Sequence, residues 1–379
     1  MPLTAPPGST HDSGAIAFTR SDPGPDGAVT APLLPGPPTV LRLPSGPWTA
    51  PVAQALRAGA LVAPADVGML ELEGTGAVTC LQGLLTNDLE QPGDGAFVYG
   101  ALLTPKGMIV VDGWAARTGT TVRFTVPVAG QARASSIFAR SVPPRLARNT
   151  DRTAETTVLR LAGAHALAIT EAARLPAPTA PGRVIITTID GAPCEIARAG
   201  EDGPFVLQIA AAPEDTARIA ARLVTAGALA ADPAALELAR IVAGWPGLTS
   251  EVDERTLPQE VRLDAIGGVS YTKGCYTGQE TVSRLHFRGH TNRELVGVEF
   301  DTEPGPGETL PILLDERDVG RVSSVAWLPE GGASTAPSGR WIGLGMVRRE
   351  VELGARVRAG GVGAHIVRLP FVLPRWEPA

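Results

Sequence analysis

The chain has 379 residues, 44% of them hydrophobic, and a formal net charge of −6 at pH 7. That length allows two or three domains with well-formed cores, and the acidic balance argues against broad electrostatic binding of nucleic acid. No stretch is long and apolar enough to suggest a membrane span.

Eleven of the 35 prolines fall within the first 50 residues, many beside glycine. Such a segment sustains neither a helix nor a central strand, so residues 1–50 read as an irregular Pro/Gly-rich extension. It lacks the basic and apolar regions of a signal peptide. The three cysteines, Cys80, Cys194 and Cys275, lie far apart, which points to a reducing, cytoplasmic setting rather than a disulfide framework. No Cys-x-x-Cys occurs, and no metal site is expected.

A short helix is expected over 52–59, closed by Gly59, followed by strands at 60–63 and 69–73. Leu81, Leu84 and Leu85 then recur at helical spacing, which predicts a helix over 74–89 that stops at Thr86-Asn87-Asp88. Residues 96–103 and 108–115 alternate around Thr104-Pro105-Lys106-Gly107 and predict a hairpin, with a third strand at 121–126. A helix over 130–140, a strand at 156–162 and an Ala-rich helix over 164–174 follow. Val184-Ile185-Ile186 marks the clearest strand, 183–189, and another is expected at 205–209. The helix over 213–226 carries Pro213 in its first turn, acids at its positive end and Gly227 beyond it. Another helix spans 234–243. Helices, strands and hairpins alternate without a regular βαβ period, so the class is α+β. After Arg293, strands at 295–300, 310–314, 319–328, 341–348 and 363–368 suggest a small antiparallel barrel, with 329–339 as a loop. The domain reading is therefore 1–50, 51–293 and 294–379.

Lys273-Gly274-Cys275-Tyr276-Thr277-Gly278-Gln279-Glu280 is the densest motif. A tight turn at Gly274 would place Cys275 near the start of a helix running through Arg284, where helix-end N–H groups and Lys273 favour the thiolate. That makes Cys275 a candidate reactive thiol; the alternative is a small apolar residue packed under a turn. Arg284, Arg288 and Arg293, with His286 and His290, form a basic strip that is either a solvated helix end or an anion-binding edge.

This motif, closed by Arg284, resembles the signature of the YgfZ-type folate-binding proteins, relatives of the glycine cleavage aminomethyltransferase (T-protein). The resemblance extends over roughly residues 60–372, through Leu81-Gln82-Gly83-Leu84-Leu85-Thr86-Asn87-Asp88, Thr104-Pro105-Lys106-Gly107, Arg240-Ile241-Val242-Ala243-Gly244-Trp245-Pro246, Pro258-Gln259-Glu260 and Leu369-Pro370-Phe371. It implies a multi-domain ring of aminomethyltransferase-like α+β domains, with two intertwined subdomains over 51–293, followed by the C-terminal barrel. It also implies a central cavity for tetrahydrofolate and a partnership with iron–sulfur client or assembly proteins.

Cys275 and Lys273 would carry the chemistry. Asp112, Glu201, Arg240, Gln279 and Arg284 would bind the cofactor or hold the loop around it. Glu201, in Gly200-Glu201-Asp202-Gly203, is otherwise an ordinary acidic turn. Three departures bear on one-carbon transfer more than on folate binding. Val111 replaces the second acid beside Asp112, Val242 stands where relatives usually have Glu, and Gly74-Thr75-Gly76 lacks an aspartate. The leading expectation is a folate-binding accessory protein for iron–sulfur cluster assembly or repair; the alternative is a folate-dependent one-carbon transferase.

Overall fold

The fold is described from a computed structural model over residues 40–201, 203–330 and 338–373. Three sheets organise it. The first is antiparallel and five-stranded, in the order Phe97–Leu103, Ile109–Thr118, Thr121–Pro127, Val67–Glu73, Arg148–Asp151. The predicted hairpin forms its edge, with a register shift between Leu102 and Leu103 just before the Thr104–Gly107 turn. Helix Val128–Ser141 packs on this sheet, burying Gly130, Arg133, Ala134 and Phe138.

The second sheet has six strands, in the order Leu229–Ala230, Leu61–Pro64, Thr157–Ala162, Leu207–Ala211, Ala192–Arg198, Arg183–Ile189. Helix Pro213–Thr225 buries Thr216, Ile219 and Leu223 against it. Its proline, acidic first turn and positive-φ Gly227 match the sequence expectation. Helix Pro233–Ala243 is capped by Asp232, whose carboxylate accepts from the N–H groups of Ala234 and Ala235, and it ends in left-handed Gly244.

The C-terminal strands close into the expected antiparallel barrel. The order runs Arg317–Pro329, Leu310–Leu314, Arg356–Ala359, Val362–Val367, Arg293–Phe300, Gly339–Arg348, and the last strand pairs back to the first. Closure removes the free edges that an open sheet of this size would expose. Strand Arg356–Ala359 went unrecognised because four residues alternating Arg and apolar give little signal. A second addition is Leu41–Arg42, which pairs in parallel with Ser324 and Val325. The end of the Pro/Gly-rich extension is thus built into the barrel wall; residues 1–39 lie outside the described part, as do 331–337 of the predicted loop. Among the described residues, no helix is long and apolar enough to cross a membrane.

One expectation is corrected. The helix predicted over 74–89 stops at Gln82. Leu84 and Leu85 keep their apolar spacing, but the carbonyls beyond the helix are taken by other chain segments. Thr86 donates through Oγ1 to the Gly268 carbonyl and accepts from the Ala101 N–H. Tertiary hydrogen bonds here outbid the helix ladder.

Candidate functional site

The motifs picked from the sequence converge around two places, a partly open cavity and a surface loop. The cavity holds about 440 Å³. Its walls come from the first sheet (Asp112, Trp114, Thr125), the second (Arg160) and the loop that leads into it (Phe205), helix Pro233–Ala243 and the loop from Trp245 to Ser250. Tyr99, Trp114, Trp245 and Phe205 form a continuous aromatic layer, with ring centroids 5.0–5.3 Å apart between Tyr99 and Trp114, Tyr99 and Trp245, and Trp114 and Phe205. Phe97 stacks on Trp114 at 4.9 Å. Tyr99, Trp114 and Trp245 also line a second cavity of about 400 Å³, where Glu201, Asn87 and Asp264 stand. The ring layer is the wall the two cavities share.

Asp112 is the central polar group. It is buried, and its Oδ2 accepts from the Tyr99 hydroxyl at 2.8 Å. Its Oδ1 is equally buried and has no hydrogen-bond partner among the described residues. Burial pushes the Asp112 carboxyl above the usual carboxylate range, opposed by the Tyr99 hydrogen bond and by the charges of Arg240 and Arg160. Tyr99 is in turn driven well above its ordinary value, by burial and then by the carboxylate beside it. A buried carboxylate oxygen left without a donor is costly unless something brings one.

Arg240 lines the same cavity but is fully engaged. It contacts Glu237 at 2.7 Å, the Trp245 carbonyl at 2.7 Å, Glu251 at 2.9 Å and Ser324 Oγ at 3.3 Å. Glu251 is completely buried and also accepts from Ser324, Ser250 and the Gly247 N–H. These carboxylates hold Arg240 above its ordinary value despite burial. The side chain thus clamps its helix and the Trp245 loop to the barrel, and it fixes the cavity wall rather than presenting a free charge.

Arg160 was missed in the sequence. It stands in the otherwise apolar strand Thr157–Ala162 and lines the cavity, with its guanidinium 4.2 Å from the Phe205 ring centroid. Its Nε and Nη2 donate to Gln208 Oε1 at 3.2 and 3.1 Å. Burial lowers its pKa to about 10. The signal available was the charge itself, an arginine interrupting an apolar strand.

The surface loop differs from its expected geometry. Helix Gln279–Arg288 begins after left-handed Gly278, so Tyr276 and the Thr277–Gly278 turn separate Cys275 from the helix end. Cys275 is exposed. Lys273 is buried, and its Nζ donates to the carbonyls of Gln82, Leu85 and Asn87 at 2.6, 2.6 and 3.0 Å. It also sits 4.9 Å from the Tyr276 ring centroid. Burial lowers its pKa to about 8, against the pull of Asp88 and Glu90. Lys273 therefore ties the Cys275 loop to the end of helix Ala77–Gln82, where the predicted longer helix gave way.

The Thr104–Gly107 turn packs on the same loop. A Cβ at Gly278 would lie 2.6 Å from the Thr104 carbonyl oxygen, and one at Gly107 would lie 2.9 Å from Thr281. Only glycine allows this approach with positive φ at both positions.

The structure brings Asp112 and Arg240 together in the first cavity and sets Glu201 on the second. Gln279 and Arg284 line neither; Arg284 is exposed on the outer helix. The basic strip is also divided. Arg293 is bound to Asp253 and Glu260, and His286 stacks on Tyr271 with centroids 3.6 Å apart.

The GCVT N-terminal domain family matches residues 50–270. The chain belongs to the GCVT family. An aminomethyltransferase from Rubrobacter xylanophilus is 30% identical to this GCVT-family chain over 320 residues, covering 80% of it and 81% of the relative. The tRNA-modifying protein YgfZ of Cronobacter sakazakii is 33% identical over 141 residues, 35% of this chain and 40% of the relative. That of Vibrio vulnificus is 35% identical over 133 residues, 34% and 39% respectively. Together these matches make the chain a YgfZ-type, GCVT-like family member. Its fold is that of the glycine cleavage system aminomethyltransferase T from Bartonella henselae, with a TM-score of 0.68 at 20% identity over 90% of this chain and 93% of that one.

Proposed function

We propose that this GCVT-family protein binds tetrahydrofolate in the Asp112 cavity and presents Cys275 to proteins that assemble or repair iron–sulfur clusters in the cytoplasm. One observation carries the folate reading: the unpartnered, buried Asp112 Oδ1 in a cavity walled by aromatic rings. A pterin brings N–H donors on a flat ring, which fits a carboxylate acceptor beside an apolar floor. The residues present therefore fit the group: Asp112 would accept from it, Tyr99 would orient Asp112, and Arg240 would fix the wall. Glu201 would be met by the part of the ligand that reaches the second cavity. Tetrahydrofolate, when bound, supplies nitrogens that carry one-carbon units.

Cys275 supports the accessory role because it is exposed on a loop that Lys273 and Gly278 hold in place. Gln279 and Arg284, outside both cavities, belong with that partner-facing surface. Lys273 serves by anchoring the loop. The YgfZ relatives are named tRNA-modifying proteins, which adds tRNA modification to the processes this role would serve.

Titration calorimetry with tetrahydrofolate tests the cavity; absence of binding at millimolar ligand would overturn it. Cys275→Ala tests the loop. It should fold and bind folate like the parent yet fail to restore an iron–sulfur enzyme in cells lacking the protein, and full restoration would refute the thiol role.

A second reading, folate-dependent one-carbon transfer, is favoured by the aminomethyltransferase relative and by the free carboxylate oxygen of Asp112. Turnover of an aminomethyl or methyl donor in the presence of tetrahydrofolate would establish it.

A further inference from the structure

The cavity contains two opposite charges that do not pair. Asp112 is held by a phenol, Tyr99, and Arg160 by an amide, Gln208. Among the described residues Arg160 forms no ion pair, and only its Nε and Nη2 donate, leaving Nη1 without a partner there. Gln208 is itself buried, and its amide nitrogen donates to Thr125 Oγ1 at 3.3 Å, which fixes the oxygen it turns toward Arg160. Phe205 supports the guanidinium from one side.

The neighbouring Arg240 shows what the fold does with an arginine it uses for itself: two carboxylates, a carbonyl and a hydroxyl surround it. The other charges lining the cavity are Glu237, which is paired with Arg240, and Asp66, which is exposed. Neither is bonded to Arg160. Half-burying a guanidinium with no carboxylate bonded to it is unfavourable, and Glu237 and Asp112 offset that only from a distance. The arrangement makes sense when a third body lies between Arg160 and Asp112.

We propose that Arg160 is a specificity-determining residue of the cavity, donating from Nη1 to an electron-rich oxygen of the ligand while Asp112 Oδ1 accepts from the ligand's N–H. The proposal rests on the folate reading above. A folate offers such an oxygen from two sources, the ring carbonyl beside the N–H and the carboxylates of the glutamyl tail. The shared chemistry is a planar N–H-bearing ring system carrying an oxygen acceptor.

The test is titration of the parent, Arg160→Gln and Arg160→Lys with folinic acid and with its pteroate counterpart lacking glutamate. Thermal melting of each ligand-free protein confirms that it folds. Arg160→Gln should bind folinic acid about tenfold or more weakly, and Arg160→Lys should recover part of that loss because it keeps a donor and the charge. Equal losses for both ligands assign the ring carbonyl; a loss confined to folinic acid assigns the tail carboxylate. Folded variants that bind both ligands within twofold of the parent overturn the role of Arg160 and leave the folate reading standing. A parent that binds neither ligand overturns both.

Discussion

The cavity and the Cys275 loop treat buried charge in opposite ways. Lys273 is buried and has a carbonyl for each of its three ammonium protons; Asp112 keeps a buried oxygen with no partner among the described residues, and Arg160 keeps an Nη1 that donates to none of them. In the loop the chain answers its own polar groups, so the charge builds structure. In the cavity it leaves them for something else. The recognisable motif therefore lies where the protein is self-sufficient, and the selective groups lie where it is incomplete.

Three substitutions would break or sharpen this contrast. The largest effect is expected on the self-sufficient side. Arg240→Met leaves the wholly buried Glu251 without its counter-charge and should cost about 3–5 kcal/mol. Chemical denaturation reads it, and a loss below about 1 kcal/mol would mean the clamp is not what joins the Trp245 loop to the barrel. Lys273→Met should cost about 2–3 kcal/mol, since three carbonyls lose their donor, and proteolysis should become faster between Leu84 and Asn87. Asp112→Asn should behave differently. It removes a buried charge that has no ion pair and whose burial outweighs the Tyr99 hydrogen bond and the pull of Arg240 and Arg160, so stability should stay within about 0.5 kcal/mol or rise. Affinity for tetrahydrofolate should meanwhile fall about tenfold to a hundredfold. If Asp112→Asn instead destabilised the protein as Arg240→Met does, the cavity would be structural and the contrast would vanish.

Much of the fold was legible for local reasons. Helix Pro213–Thr225 has its proline, its acids and its glycine in order, and strand Arg183–Ile189 is rich in β-branched residues. The barrel announced itself through short strands between turns. What could not be read was decided by partners distant in sequence. The helix after Gly76 ends early because Lys273, Gly268 and Ala101 take part in its exit. Leu41–Arg42 is a strand only because the barrel offers it an edge.

The site divides the same way. Asp112, Arg240 and Cys275 were visible through resemblance, and Asp112 and Arg240 do share a cavity. Arg160 belongs to none of the motifs, and its meaning depends on Gln208 and Phe205, which the second sheet and the loop before it bring alongside. Lys273 was visible, but its direction was not: sequence adjacency suggested the thiol, while folding aimed the ammonium at a helix end.

The aromatic layer has one more consequence. Trp114 and Trp245 lie parallel within 15°, with centroids 6.0 Å apart, and both border the two cavities. Two indoles held so close and so rigidly give the protein a built-in chromophore whose emission and near-ultraviolet dichroism belong to the cavity wall. Any molecule that slides along that wall should announce its arrival in the light the protein gives off, without a label.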